Sequence, residues 1–446
     1  MNTASTRQIA PDQLVARLTE SRSVTDSLFQ VVRKEALYDR PIPERHRIVF
    51  YIGHIEAFDW NLIAGQTLGL GPAHKEFDRL FAFGIDPLGT SLPEDKPADW
   101  PSLSEISSYN LRVRERIDEI LKSPSHFPPD HWQYSQELIL NVVIEHRLMH
   151  AETLAYMLHQ LSPDRKTVPR SYHTVGSHQP WPPIVSRMID IPAGFATLGI
   201  PRGGDVFGWD NEFEEHSVEV PAFAIDATKV TNGEFLRFVR EGGYDDRHLW
   251  SAADWAWIKD EKIVHPKLWL KQNDKWSYRT MFEELPLPLD WPVYVSYAEA
   301  AAYARFRGMA LPTEAQFHRA TYGTPHGTEC KYPWGDAPPD AARGNFDFER
   351  WDPVAVGSYP DGRSAFGLED TLGNGWEWTS SPFAPYSGFE PFSFYSGYSA
   401  NFFDGKHFVV KGASPRTAAS MLRRSFRNWF QPHYPFVYAS FRCVKN

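Results

Sequence analysis

"DHWQYSQELILNVVIEHRLMHAETLAYMLHQL", residues 130–161, is the stretch from which the fold of the first third of the chain follows. Its apolar positions recur at helical spacing over a length that spans a whole domain. Inside it, His146 and His150 stand one turn apart among aliphatic and small residues. Side chains at i and i+4 share a helical face, with Cβ atoms about 6 Å apart, so two neutral imidazoles there can converge on one metal. The same spacing also fits the wet edge of an amphipathic helix. Three further segments carry the same period: "TRQIAPDQLVARLTESRSVTDSLFQVV" (6–32), with Pro11 and Asp12 near its start, "ERHRIVFYIGHIEAFDWNLIAGQTL" (44–68), and "PSLSEISSYNLRVRERIDEILKS" (101–123), opened by Pro101-Ser102. Four long helices with one extended connection around 70–100 predict a bundle over residues 10–161. His54, in "YIGHIEAFDWN" on the preceding bundle helix, is the best candidate for a third ligand, since inward-facing side chains of different helices build such centres. Three imidazoles with open positions suit iron and zinc alike. Glu145 and Glu152 are read as outer groups or solvated charges, not as ligands.

Bulk composition bounds the rest. A chain of 446 residues, 42% hydrophobic and 23% charged, is folded and too long for a single small core. The formal net charge of -10 argues against a general nucleic-acid or anionic-membrane surface. Two cysteines, Cys330 and Cys443, supply no disulfide framework and read as reduced thiols. With no signal-like segment and no apolar run long enough to span a bilayer, the chain is expected to be soluble and cytoplasmic.

Residues 162–187 are rich in turn formers and read as a linker. From residue 188 to 446, short strand-like pieces, frequent Gly and Pro, and a few helices such as "SYAEAAAYARFRG" predict a loop-rich mixed domain. The segments "IPAGFATLGI", "ATKVTNGEFLRFV", "WPVYVSYAEAAAYARFRGMALPTEAQFHRA", "YPWGD", "GLEDTLGNGWEWTSSPF", "FVVKGAS" and "RRSFRNWF…VYASFRC" resemble, in order, those of the formylglycine-generating-enzyme-like fold, which is related to C-type lectins. The N-terminal part resembles the DinB-like four-helix bundle. Joined in this order, the two resemble the ergothioneine-biosynthesis sulfoxide synthases and the related selenoneine synthases. The expected class is therefore α+β, a DinB-like bundle followed by a formylglycine-generating-enzyme-like domain.

The resemblance implies a non-haem iron(II) enzyme that uses O2 to join sulfur or selenium to the imidazole C2 of hercynine. It implies His54, His146 and His150 as iron ligands and Tyr395 as the catalytic proton or hydrogen-bond donor. Tyr398 would line the pocket for the substrate amine, with Asn428 and Trp429 binding hercynine; Trp429 offers a π face to trimethylammonium. Cysteine-dependent protein oxidation is not expected, since Cys330 reads as structural or incidental and Cys443 as core packing.

Departures from the family pattern fall near the donor and the amine. Mycobacterial-type members carry "NSYY" and an arginine-rich loop, where this chain has "LFAFGIDPLGTSLPEDKPADW" with Glu94, Asp95 and Asp99. Phe430 replaces an aspartate after the Asn-Trp pair, and Met149 stands where a glutamine is usual before the second histidine. Arginines grip carboxylates through bidentate bonds. Their loss points away from γ-glutamylcysteine and is compatible with a selenosugar, although Arg416 or Arg423 would restore a grip. Arg427 reads equally as a binding residue or a core ion-pair residue. A zinc hydrolase or transferase, and a non-catalytic ligand-binding protein, are the competing readings.

Overall fold

The computed structural model describes residues 11–82, 94–123, 127–128, 131–170, 172, 187–204 and 206–445. The chain divides into two compact units. The first comprises residues up to Tyr172 together with the short segments Asp205–Phe207 and Phe392–Tyr395; the remainder forms the second.

The first unit is helical: α1 (Pro11–Gln30), α2 (Ile48–Asp59) running into a π-helical segment (Trp60–Thr67), α3 (Lys75–Leu80), α4 (Leu103–Leu121) and α5 (Gln136–His159). Helix α4 starts where Ser102 accepts from the Glu105 amide and Glu105 returns to the Ser102 amide, a capping box that satisfies two orphan donors. Its buried face, Ile106, Tyr109, Val113, Ile117 and Leu121, is a stripe of three- and four-residue steps. Helix α5 has no such one-sided stripe. Nearly every residue from Ile139 to His159 is buried, the signature of a helix packed on all sides. Its polar residues must therefore find partners inside the protein. Helix α1 packs along α5, and α2 packs against both α4 and α5.

The connection expected to be extended around 70–100 contains α3. The helix has six residues and is capped by the His74 ring, which accepts from the Phe77 amide at 3.2 Å. A helix this short has no apolar period to read, and histidine is not among the usual caps.

The second unit carries β1 (Met188–Ile191), β2 (Gly194–Leu198), β3 (His216–Val220), β4 (Phe223–Asp226), α6 (Asn232–Arg240), α7 (Ala252–Asp260), β5 (Trp269–Gln272), β6 (Lys275–Arg279), β7 (Glu284–Pro286), α8 (Tyr297–Phe306), α9 (Glu314–Tyr322), β8 (Gly375–Pro382), β9 (Phe408–Ala413), β10 (Asn428–Phe430), β11 (Ala439–Ser440) and β12 (Val444–Lys445). The principal sheet has the order β10-β9-β8-β11, with β8 antiparallel to β9 and parallel to β11. Strand β8 is the "GWEWT" motif. Trp376, Glu377 and Trp378 are all buried, so both faces of this strand are covered. Glu377 is tolerated there because Lys229 (3.0 Å) and Arg442 (2.9 Å) neutralise it.

The preceding "GNG" is a turn with positive φ at Gly373 (86°), Asn374 (60°) and Gly375 (128°). A Cβ on Gly373 would lie 2.6 Å from the Asn345 carbonyl oxygen, so that position needs glycine. Asn374 holds its left-handed conformation by exchanging side-chain bonds with Val354, accepting from its amide at 2.9 Å and donating to its carbonyl at 3.0 Å. The architecture is thus α+β, a helical bundle followed by a mixed-sheet domain, as the sequence predicts. Among the described residues no helix is long and apolar enough to cross a membrane.

Candidate metal centre

His54 lies on α2, and His146 and His150 lie on α5; all three are buried. Their Nε2 atoms converge, with His54 to His150 at 3.2 Å and His150 to His146 at 3.1 Å. The three ligand atoms lie within 4.8 Å of one another. Ligands about 2.1 Å from a metal sit about 3.0–3.4 Å apart in tetrahedral or octahedral arrangements, and both Nε2 separations fall in that range.

The hydrogen-bond pattern makes the same point. His54 Nδ1 donates to the Phe81 carbonyl at 2.7 Å, which leaves the lone pair on Nε2. Among the described residues, His146 and His150 find no hydrogen-bond partner at Nδ1. One proton cannot satisfy three nitrogens facing one another, whereas a cation satisfies all three. Burial holds each ring neutral. It pulls His54 down to about 4 against the raising effect of the Phe81 carbonyl, with His46 adding to the fall. Burial likewise drives His146 and His150 well below the usual imidazole value, helped by the neighbouring rings and by Arg147. Neutral imidazole is the ligating form. The donor set therefore fits a divalent transition metal.

Packing around the centre is aromatic on one side and ionic on the other. Phe58, one turn beyond His54, stacks on His146 with centroids 3.5 Å apart and planes 13° from parallel. Tyr395, in the short helical turn Ser393–Tyr395 that belongs to this unit, lies 5.5 Å from Phe58 and 6.4 Å from His146, ring centre to ring centre. Behind the ligands, the fully buried Arg147 forks onto Glu56 at 2.9 and 3.0 Å and reaches Asp59 at 2.5 Å. Arg114 bonds the same Glu56 at 2.7 Å and Asp26 at 2.7 Å, so α1, α2, α4 and α5 are tied in one charged cluster. Burial opposes ionisation of both carboxyls. The two guanidiniums nevertheless hold Glu56 below the usual range, while Asp59, sharing one of them and facing Glu56, is raised to about 6.

Tyr398, Asn428, Trp429 and Phe430 belong to the second unit. Trp429 stacks on Phe383 at 4.0 Å, and Tyr398 meets Trp429 edge-on at 5.5 Å. Trp209 covers the far face of this group, stacked on Tyr398 at 4.0 Å. Asn428 accepts from the Trp429 amide at 2.9 Å through Oδ1. Phe430 does not join them. Successive residues of a strand face opposite ways, and Phe430, next after Trp429, packs toward Tyr434 and Trp378 instead. Met149 is half-buried on α5 between His146 and His150.

Several charges resolve into structural roles. Arg427 pairs with buried Glu314 at 3.1 Å and lies over Tyr386 at 4.1 Å, the core ion-pair reading of that residue. Arg423 grips Glu212, and Arg416 bonds the Phe348 carbonyl and stacks over Trp351 at 3.9 Å, so both are already engaged. Asp95 binds Arg47 at 2.8 Å, Trp100 Nε1 at 2.8 Å and Arg40, which ties down the start of α2. Residues 83–93 of the departing loop lie outside the described residues. Glu145 and Glu152 are buried, not solvated. Cys443 is buried as expected.

Sequence reading missed Phe58, Phe81, Trp209 and the Arg147 cluster. Only the last had a signal, in charged residues set among apolar ones on α2 and α5.

A helical unit with a three-histidine cluster of metal-ligating geometry, joined to a mixed-sheet unit, defines a two-part class of protein. The family described as the sulfatase-modifying factor enzyme 1-like domain matches residues 177–446. Over nearly the whole chain the similarity is to hercynine oxygenases. That of Mycolicibacterium thermoresistibile is 38% identical over 449 residues, covering 97% of this chain and 94% of the relative. That of Mycolicibacterium smegmatis is 35% identical, covering 98% and 99%. Ergothioneine biosynthesis protein 1 of Neurospora crassa is 30% identical over 94% of this chain and 56% of its own length. The chain belongs to the hercynine oxygenase family.

Proposed function

We propose that the chain is a non-haem iron(II) oxygenase that joins a chalcogen donor to the imidazole C2 of hercynine at the expense of O2. The observation that carries this reading is the convergence of His54, His146 and His150 in a chain that matches hercynine oxygenases from end to end. In the overall reaction, C2–H and a chalcogen–hydrogen bond break and C2–S or C2–Se forms. O2 takes four electrons, one oxygen leaving as water and the other staying on the chalcogen in a sulfoxide-type product.

The three imidazoles would hold iron(II), which would relay the four electrons from hercynine and the donor to O2 and leave a position open to a soft ligand. The chain's own residues orient and protonate. His54 is fixed in one tautomer by the Phe81 carbonyl, and His146 is fixed in plane by Phe58. Tyr395, whose ring lies beside Phe58 and His146, would donate its phenol proton to a reduced oxygen species without bringing charge into the site. Trp429 and Tyr398 offer aromatic faces to the trimethylammonium group, and Asn428 its amide nitrogen to the carboxylate. Met149 and Phe430 are the two positions at which the sequence departs from the family's hercynine-binding pattern.

The donor in this reading is a weakly charged one, such as a selenosugar, not γ-glutamylcysteine. Engagement of Arg416 and Arg423 elsewhere supports it, as does the lack of arginine in residues 80–100. The test is anaerobic loading with iron(II), then O2 uptake and product mass with hercynine plus γ-glutamylcysteine, cysteine or a selenosugar. O2 uptake that requires hercynine and a donor is expected, with product from the selenosugar. Hydrolysis without O2 would overturn the oxygenase reading in favour of a zinc enzyme. Product from γ-glutamylcysteine alone would overturn the donor assignment.

A further inference from the structure

His54 is preceded by a glycine in the middle of α2, a residue that weakens a helix and is kept there for some other reason. The reason is visible in its surroundings. A Cβ on Gly53 would lie 2.5 Å from Phe81 Cε2 and Cζ and 2.6 Å from Cδ2. The Phe81 ring occupies the volume a side chain would need. That ring has little room to give, because it is fully buried. Phe77 lies 5.7 Å from it, Trp100 6.1 Å, Tyr109 6.2 Å and Phe50 6.4 Å, centroid to centroid. The same residue that seats its ring on Gly53 turns its carbonyl to His54 Nδ1 at 2.7 Å.

We infer that Gly53 and Phe81 are a positioning pair: the ring of Phe81, seated on Gly53, sets where its carbonyl stands, and the carbonyl fixes the tautomer and aim of His54. The inference rests on the metal reading of the three histidines. Outer hydrogen bonds to ligating imidazoles typically change metal affinity by 10–100-fold when lost. A side chain at residue 53 must displace the Phe81 ring and with it the carbonyl, so His54 loses its anchor while keeping its own identity. Neither residue of this pair carries a metal-ligating side chain, and neither titrates.

The experiment uses the full-length, metal-free protein titrated with cobalt(II), in competition with a chromophoric chelator. Cobalt d–d absorption reports ligand geometry, and thermal unfolding of the metal-free protein is recorded in parallel. Gly53→Ala is expected to weaken cobalt binding about 10–100-fold and to alter the absorption envelope. Phe81→Leu alone is expected to weaken it about tenfold. Adding Gly53→Ala to Phe81→Leu is expected to cost little more, because the obstructing ring edge is gone. Cobalt affinity within twofold of the parent in Gly53→Ala, with only a lower unfolding temperature, would reduce the pair to packing and overturn the inference. Should Gly53→Ala not fold, unchanged affinity and spectrum in Phe81→Leu would overturn it equally. A parent protein that binds no cobalt would defeat the metal reading itself, a result distinct from either.

Discussion

Neutral imidazoles aimed at one point are unfavourable neighbours for one another and favourable ones for a cation, and the residues around them determine how well the cation is served. Phe58 and Tyr395 lie on one side of His146. Tyr395→Phe keeps the ring and deletes the hydroxyl, so turnover is expected to fall about 10²-fold with metal content unchanged. Steady-state kinetics alongside iron analysis checks this, and unaltered turnover would remove Tyr395 from the proton-handling role. Trp429→Leu removes a π face worth about 0.5–2 kcal/mol to a quaternary ammonium group. KM for hercynine is expected to rise about 2–30-fold, while cobalt binding stays as in the parent. At this scale the ligands were legible, because His146 and His150 share a helical face by spacing alone and His54 sits in a parallel setting on another helix. Phe81 was not. Its carbonyl meets His54 across a loop, and no pattern in a sequence marks a backbone oxygen for that duty.

Among the elements, α2 and α5 matter most, since the cluster exists only if their registers agree. The fork of Arg147 onto Glu56 and Asp59 links them near the ligands. Arg147→Met leaves two carboxyls without their buried partner and is expected to destabilise the protein by about 3–5 kcal/mol. Adding Glu56→Gln and Asp59→Asn should recover part of the loss, and denaturant titration of the three proteins measures both effects. An unchanged midpoint in Arg147→Met would mean the fork contributes nothing to the bundle. In the second unit, Gly375 holds φ at 128° with the Tyr294 ring 2.8 Å from a Cβ position, so Gly375→Ala is expected to cost at least about 1–3 kcal/mol. The long helices were readable because each has either a periodic stripe or a long apolar run. Helix α3 and the π-helical turns after α2 were not, since one is too short to show a period and the other differs from an α-helix only in hydrogen bonds that span one residue more.

For the whole molecule, a metal that binds the folded helical unit and not the unfolded chain stabilises it by mass action. At a hundred times Kd the gain is about 2.7 kcal/mol. For a unit of this size that corresponds to a rise of about 5–10 °C in its unfolding temperature. Calorimetry with and without chelator should show the shift in the parent and none in His146→Ala; an equal shift in both would place the metal elsewhere. The order of the two parts was legible from motif order along the chain. Membership of Phe392–Tyr395 in the helical unit was not, since a segment of four residues carries no signal of which core it joins.

That membership has a practical consequence for anyone dividing the gene. Cleaving the polypeptide after Tyr172 would yield a fragment that keeps all three histidines yet lacks the phenol beside them, and a remainder holding that phenol with nothing to serve. Neither piece holds the three histidines and the phenol together, and activity regained only on mixing them would be complementation in the strict sense.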